Sequence, residues 1–193
     1  MSKDLFEVRW HGRGGQGAKT ASLLFGDAAL DSGMYIQAFP EYGPERMGAP
    51  VASFNRLSKK PINVHCSISS PDLVVVLDPT LMGKVDVTDG LLENGNLIVN
   101  TSLTAEEVSK NLNNKNKINV FVVDASGISK TEIGQDIPNT PMLGAMLKVS
   151  GLLDFDKTIK GIELKLKKKF ANKPEIIEGN IKAIKRAYEE VTS

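Results

Sequence analysis

The sequence predicts an α/β fold: a mixed, mostly parallel sheet with helices on both faces, a β-hairpin insertion and a helical C-terminus. Three observations predict it. Apolar runs of strand length recur at residues 5–10, 73–77, 96–100 and 118–123, too short for buried helices and bounded by turn residues. Segments with helical periodicity stand between such runs, the pattern of a sheet covered on both faces. The first run leads through a turn carrying Gly12, Gly14, Gly15 and Gly17 into a helical segment, the opening of a Rossmann-like domain.

The elements follow in order. Residues 5–10 read as a buried strand and 18–30 as a helix whose Ala21, Leu24, Phe25, Ala28 and Ala29 share one face. After the turn Asp31-Ser32-Gly33, residues 35–39 form the second strand. Residues 51–57 and 62–68 read as two strands joined around Ser58-Lys59-Lys60-Pro61. Alternation of Ile62, Val64, Cys66 and Ile68 with Asn63, His65 and Ser67 suits a half-exposed hairpin. Residues 73–77, L-V-V-V-L, form a fully buried strand ending at Asp78-Pro79, and 80–93 a glycine-interrupted helical region. Strand 96–100 precedes Thr104 and Glu107, which have capping-box spacing for the next helix. Strand 118–123 ends at Asp124. In the C-terminal third, Pro138 and Pro141 lead into a helix over 142–150, closed by Gly151. Asp154 or Asp156 caps the next helix, which ends in Lys165 and Lys167 to Lys169. The last helix covers 175–191, with Ile176, Ile177, Ile181, Ile184 and Tyr188 as its packing stripe.

Composition narrows the function. At 193 residues the chain is long enough for one α/β domain and short for two, so 1–193 reads as a single domain. A net charge of +1 gives no general attraction to nucleic acid or anionic membrane. The terminal lysine cluster therefore reads as a solvated face that complements the helix dipole. No apolar run approaches the roughly 20 residues of a membrane span. The N-terminal M-S-K-D-L-F-E-V has no secretory h-region, so a cytoplasmic protein is expected. The single cysteine, Cys66, excludes an internal disulfide and any cysteine-only metal or iron–sulfur site. Its small and apolar neighbours predict a buried, inert thiol. His11 and His65 lack the carboxylate or cysteine spacing of a metal site. His11, beside the glycine turn, reads as structural.

The turn itself, W-H-G-R-G-G-Q-G over 10–17, carries the chemistry. Glycines remove the Cβ atoms that hold an anion away, and the helix N-terminus adds partial positive charge. Arg13 and Lys19 each offer a full charge. Gly12, Gly14 and Gly17 fit the G-x-G-x-x-G spacing, but a dinucleotide site needs an acid at the end of the second strand. That strand ends in Phe39-Pro40, and the first acid, Glu41, already belongs to the next loop. A dinucleotide site, a packing turn that binds nothing, and an anion-binding loop in another setting all remain open here.

The next segment, F-P-E-Y-G-P-E-R-M-G-A-P over 39–50, has the glycine and proline content of a structured loop. It leaves a strand end near the glycine turn, where open α/β sheets place ligands. G-R-G-G-Q-G-A, E-Y-G-P-E-R-x-G-A-P, P-N-T-P-M-L-G-A over 138–145 and the ending N-x-x-A-x-x-x-x-Y-E-x-V over 180–191 follow one another in this order. Together they resemble the gamma subunits of pyruvate:ferredoxin oxidoreductase and its 2-oxoacid relatives, over nearly the whole chain.

The resemblance implies a share in thiamine-dependent oxidative decarboxylation of a 2-oxoacid, which gives an acyl-CoA and reduces ferredoxin. It implies a heterotetramer with alpha, beta and delta subunits. Thiamine diphosphate, magnesium and 4Fe–4S clusters are expected on those partners, because this chain lacks G-D-G with a distant asparagine and has one cysteine. The isolated chain is expected to be inactive. Coenzyme A carries the phosphates that a glycine loop and an arginine suit. Gly12, Arg13, Gly14, Gly15, Gln16 and Gly17 are therefore expected to face an anion or a partner's loop. Glu45 and Arg46 would fix the neighbouring loop, with Asn139 and Thr140 opposite. A pure interface role for 42–50 and 138–145 stands beside that reading, as does a free-standing nucleotide-binding module. Pyruvate is the expected substrate; 2-oxoglutarate, branched-chain and indolepyruvate enzymes share the domain.

Overall fold

The computed structural model describes residues 4–41, 48–112 and 117–193. Six strands form one sheet in the order β2-β3-β1-β4-β5-β6. They are β1 (Leu5–Arg13), β2 (Tyr35–Glu41), β3 (Pro50–Ser58), β4 (Leu73–Val76), β5 (Asn96–Asn100) and β6 (Asn119–Val123). The helices are α1 (Ala18–Asp31), α2 (Ala105–Lys110), α3 (Ala125–Ile133), α4 (Asn139–Ser150), α5 (Phe155–Lys169) and α6 (Pro174–Glu190). β1, β4, β5 and β6 run parallel, while β3 is antiparallel to both β1 and β2. The result is the mixed, mostly parallel sheet that the alternating pattern predicts.

Period-two alternation sorts the side chains of β1. Val8 and Trp10 enter the larger core with Phe25 of α1, Met142 and Leu143 of α4 and Ile184 of α6. Glu7, Arg9 and His11 point to the other face, and each is about nine-tenths buried. On β4 and β5 both faces are apolar, and Val74, Val76, Leu97 and Val99 build a second core with Leu81, Leu91 and Val108. Helices thus cover both faces unevenly: α1 and α3 to α6 on one, α2 and irregular chain on the other.

Local end signals behave as expected. Thr104 and Glu107 form the reciprocal capping box of α2. Of the two candidate caps for α5, Asp154 is the one that accepts from the Lys157 N–H. Lys167, Lys168 and Lys169 lie exposed in the last turn of α5. Lys165 instead reaches back to Asp27 and Asp31 of α1, at 3.4 and 2.9 Å. Ile177 and Ile184 are buried on α6, and Tyr188 stacks on Phe155 at 3.9 Å.

Five features depart from expectation. Residues 62–68 are not a strand. The antiparallel neighbours of β3 are β1 and β2, so β3 is inserted between two strands that a plain Rossmann order would pair. The carbonyls of Val64 and Cys66 accept from Gln37 and Arg56 side chains instead of a ladder. Cys66 is exposed, not buried. Residues 80–93 form a 3₁₀ turn, Pro79–Leu81, followed by further turns in which Asp86 accepts from the backbone and hydroxyl of Thr88. Finally, α3 was not predicted, although Asp124 caps it by accepting from the Gly127 N–H at 2.8 Å. Helix α4 begins at Asn139, earlier than 142.

Candidate functional site

Where the connections diverge, between the parallel neighbours β1 and β4, open sheets form their ligand crevice. Here that crevice is bridged by side chains. Arg13 Nε pairs with Asp78 Oδ2 at 2.8 Å. The rest of its guanidinium donates to the Gly48 carbonyl at 3.0 Å and to Thr80 Oγ1 at 2.8 Å. Gln16 accepts from the Arg13 N–H at 2.7 Å and donates to Asp78 Oδ2 at 2.9 Å. Gly14 exchanges backbone hydrogen bonds with the stretch Gly48–Ala49. Burial pushes the Asp78 carboxyl up, but hydrogen bonds from Thr80, Gln16 and Arg13 outweigh it and hold the group below its ordinary value. Arg13 and Gln16, both read as ligand-facing, are thus committed to closing the turn.

Glu41, expected in the loop after β2, is instead the last residue of that strand, because the ladder to β3 continues to Ala52; what decides against an ordinary dinucleotide grip is the insertion of β3. Glu41 pairs across Ala52 with His11, so the first acid of β2 lies two strand spacings, roughly 10 Å, from β1.

The open side of the turn faces the opposite way. Gly15 and Gly17 line a groove of about 510 Å³ with Thr20, Asn139, Thr140 and Asn180. Leu24, Ile133, Ile137, Leu166, Phe170 and Ile176 supply its apolar wall, and Lys165 and Lys169 stand at its side. Gly17, at φ +82°, is the N-cap of α1 and gives no side-chain cap, leaving first-turn N–H groups for another partner. Asn139 packs directly against Gly17. Thr140 Oγ1 donates to Asn180 Oδ1 at 2.7 Å, and Asn180 donates to the Ile176 carbonyl. The glycine turn, the 138–145 motif and the terminal 180–191 motif therefore meet at one place.

Of the expected site residues, Gly15, Gly17, Asn139 and Thr140 line the groove, and Arg13, Gly14 and Gln16 belong to the Asp78 side. Gly12 closes the end of β1, where an added Cβ would come within 3.3 Å of the Ala18 Cβ. Glu45 and Arg46, with Tyr42, lie outside the described residues. Asp78 and Asn180 are partners in the site beyond those the sequence points to. An acid placed directly after a buried strand was the available signal for the first. A larger hollow of about 600 Å³, between the end of α1 and the start of α5, contains none of the motif residues.

Replacing Gly17 by alanine is expected to cost about 1–2 kcal/mol from the left-handed backbone alone. The new Cβ would also lie 2.5 Å from the Asn139 amide nitrogen. A urea midpoint indistinguishable from that of the unaltered chain would refute this packing.

His11 is buried beside the turn, and its Nε2 has no hydrogen-bond partner. Burial, assisted by Arg9, lowers its pKa to about 4. The unfolded chain therefore binds a proton that the folded chain refuses. Stability is full above the ordinary value of roughly 6.5 and falls as pH drops toward 4. From pH 7.5 to pH 5.5 the expected loss is about 1 kcal/mol. His11→Gln should abolish that difference in urea titrations at the two pH values.

Among the described residues no group of three or more histidine, cysteine, aspartate or glutamate side chains is arranged to hold a metal ion. The family model described as pyruvate ferredoxin/flavodoxin oxidoreductase matches residues 7–190. The chain belongs to that family. It is 48% identical over 191 residues to pyruvate synthase subunit PorC of Thermotoga maritima, covering 99% of this chain and 97% of that one. A Pyrococcus abyssi protein, the common gamma subunit of pyruvate and ketoisovalerate oxidoreductases, is 46% identical over 96% of this chain and 97% of its own length. The crystal structure of the T. maritima PORC subunit superposes with a TM-score of 0.84 at 45% identity, covering 98% of each chain. The family match thus takes in the glycine turn and the other two segments that meet at the groove.

Proposed function

We propose that this chain is the gamma subunit of a multi-subunit pyruvate:ferredoxin oxidoreductase. The enzyme converts pyruvate, coenzyme A and oxidised ferredoxin to acetyl-CoA, carbon dioxide and reduced ferredoxin. The observation that carries the reading is the full-length similarity to a pyruvate synthase subunit, together with a fold that brings the glycine turn, Asn139, Thr140 and Asn180 to one groove. Residues 1–193 act as one gamma-type domain.

The donor set of this chain does not suit the redox groups of the reaction. A single cysteine, exposed beside β3, cannot hold a 4Fe–4S cluster. Those clusters, thiamine diphosphate and magnesium belong in this proposal to the alpha, beta and delta partners, and the isolated chain is inactive. Among the described residues no helix is long and apolar enough to cross a membrane, in keeping with a complex that works in the cytoplasm and hands electrons to ferredoxin.

The groove is the place where this subunit helps to receive coenzyme A. Its open glycine turn and uncapped helix N-terminus suit the diphosphate, and the apolar wall suits the less polar part of the molecule. Direct contact falls to Gly15, Gly17, Asn139 and Thr140. Gly12, Arg13, Gly14 and Gln16 hold the turn, and Glu45 and Arg46 are the further candidates, from residues 42–50. An Arg46→Ala change that weakens CoA saturation in an intact complex supports ligand contact by that segment, whereas loss of assembly supports an interface.

The test of the whole reading is an anaerobic affinity capture of the chain from its native cell extract. The eluate is assayed for pyruvate- and CoA-dependent viologen reduction. Co-purified thiamine and iron–sulfur subunits with that activity are the expected result, and recovery of an inactive lone chain would sink it. A second reading, action on a branched-chain 2-oxoacid, is favoured by the P. abyssi relative named for both substrates. Exchanging the 2-oxoacid in the same assay separates the two.

A further inference from the structure

We propose that Asp78 is a positioning residue: it sets the glycine turn so that Gly15 presents an open face to coenzyme A beside the start of α1. The inference rests on the groove reading above for its ligand, but not for its geometry. Asp78 does not line the groove. It lies on the other side of the turn, immediately after β4, with 8% of its surface exposed.

Its carboxylate gathers four hydrogen bonds. Oδ2 accepts from Arg13 Nε at 2.8 Å and from Gln16 Nε2 at 2.9 Å. Oδ1 accepts from the Thr80 N–H at 2.9 Å and the Thr80 hydroxyl at 2.7 Å. One oxygen thus anchors the group to its own strand end, and the other holds both ends of the glycine turn. Gln16 closes the frame through its bond to the Arg13 N–H and through its own N–H to the Arg13 carbonyl. Through Arg13 the frame extends to the Gly48 carbonyl. An added Cβ at Gly15 would meet nothing within 4 Å, so the turn is open on the side that the frame leaves alone.

A carboxylate is required because all four contacting groups, from Arg13, Gln16 and Thr80, are donors and an ionised acid accepts only. In Asp78→Asn the Thr80 bonds survive on the amide oxygen. The amide nitrogen then opposes Arg13 Nε and Gln16 Nε2, donor against donor, without opening a cavity. That variant releases the turn while sparing the strand end.

In the assembled enzyme, Asp78→Asn is expected to raise the KM for coenzyme A about tenfold, the scale of a modest misplacement of a binding group. The KM for pyruvate and the kcat at saturating coenzyme A should stay within about twofold. Arg13→Lys keeps the charge but loses the fork that reaches Gly48 and Thr80, and should show the same split more weakly. An unchanged KM for coenzyme A, or a kcat loss with every KM unchanged, would overturn the role. Amide exchange on the full-length variant decides the geometry independently. Faster exchange at Gly14, Gln16 and Gly48 is expected, and unchanged exchange there refutes the frame. Faster exchange at those amides with an unchanged KM for coenzyme A would overturn the groove reading and leave the frame standing.

Discussion

Arg56→Ala is expected to lower stability by about 3–5 kcal/mol, the scale for removing one partner of a buried ion pair. Arg56 is 1% exposed and stands where three strands and an irregular segment meet. Its Nε pairs with Glu7 of β1 at 2.8 Å, and one terminal nitrogen donates to Gln37 of β2 at 2.9 Å. The same guanidinium donates to the carbonyls of Val64 and Cys66 at 3.4 and 3.1 Å. Truncation leaves Glu7 buried without that guanidinium and the Cys66 carbonyl without that donor, while the Val64 carbonyl keeps its bond from Gln37. The contacts of β3 with β1 and β2 lose this ion pair and keep the backbone ladder, the Trp10–Asn55 hydrogen bond and the Phe39–Phe54 stack. Exposed pairs give a measure of the contrast. Lys60 and Asp4, more than half exposed, are separated by 3.1 Å, and severing such a surface pair costs at most about 1 kcal/mol. Urea unfolding of Arg56→Ala and Lys60→Ala side by side tests the difference. Equal midpoints would mean that the Arg56 cluster is not buried as described. Arg56→Met should lose less than Arg56→Ala, because it fills the volume, although it cannot replace the donors.

The elements that could be read from the sequence were those whose causes are local. The run 73–77 announces β4 because β-branched residues buried on both faces leave no other reading, and Thr104 with Glu107 announces α2 from a spacing of three. The glycine turn and α1 were legible for the same reason. The failures have distant causes. Residues 62–68 alternate like a strand, yet their carbonyls are taken by Arg56 and Gln37, whose positions depend on the order β2-β3-β1. Ser126, Gly127 and Ser129 broke the apolar pattern of α3, which rests on the Asp124 cap and on packing against α6.

The site divided along the same line. The sequence brought Arg13 forward as a free charge, and 65 residues separate it from the Asp78 that neutralises it. Nothing local to Gly17 or Asn139 foretells their contact, which joins residues more than 100 positions apart. The 138–145 motif proves to have two jobs: its first residues line the groove, and Met142, Leu143 and Ala145 are core.

Gly144, in that same motif, carries the other large effect. Helices α4 and α6 cross so closely there that an added Cβ would overlap the Ile184 carbonyl. The obstacle is backbone, not the end of a flexible side chain, so relief requires α6 to move. Overpacking of this kind costs about 3 kcal/mol or more at the upper end of its range. Alanine returns about 1 kcal/mol through its better helix propensity, so Gly144→Ala is expected to lose about 2 kcal/mol or more net. Gly161 in α5 supplies the opposite sign. Its added Cβ would meet only Asp31 Oδ2, at an ordinary 3.5 Å, so Gly161→Ala should gain about 0.5–1 kcal/mol. The same substitution in two helices thus separates propensity from packing. Displacing α6 also strains the Thr140–Asn180 bond at the groove, and Gly144→Ala should speed amide exchange at the start of α4, which Gly161→Ala should not. If both variants gained stability, the α4–α6 crossing would have to be wider than described, and the groove between α1, α4 and α6 would lose its fixed wall.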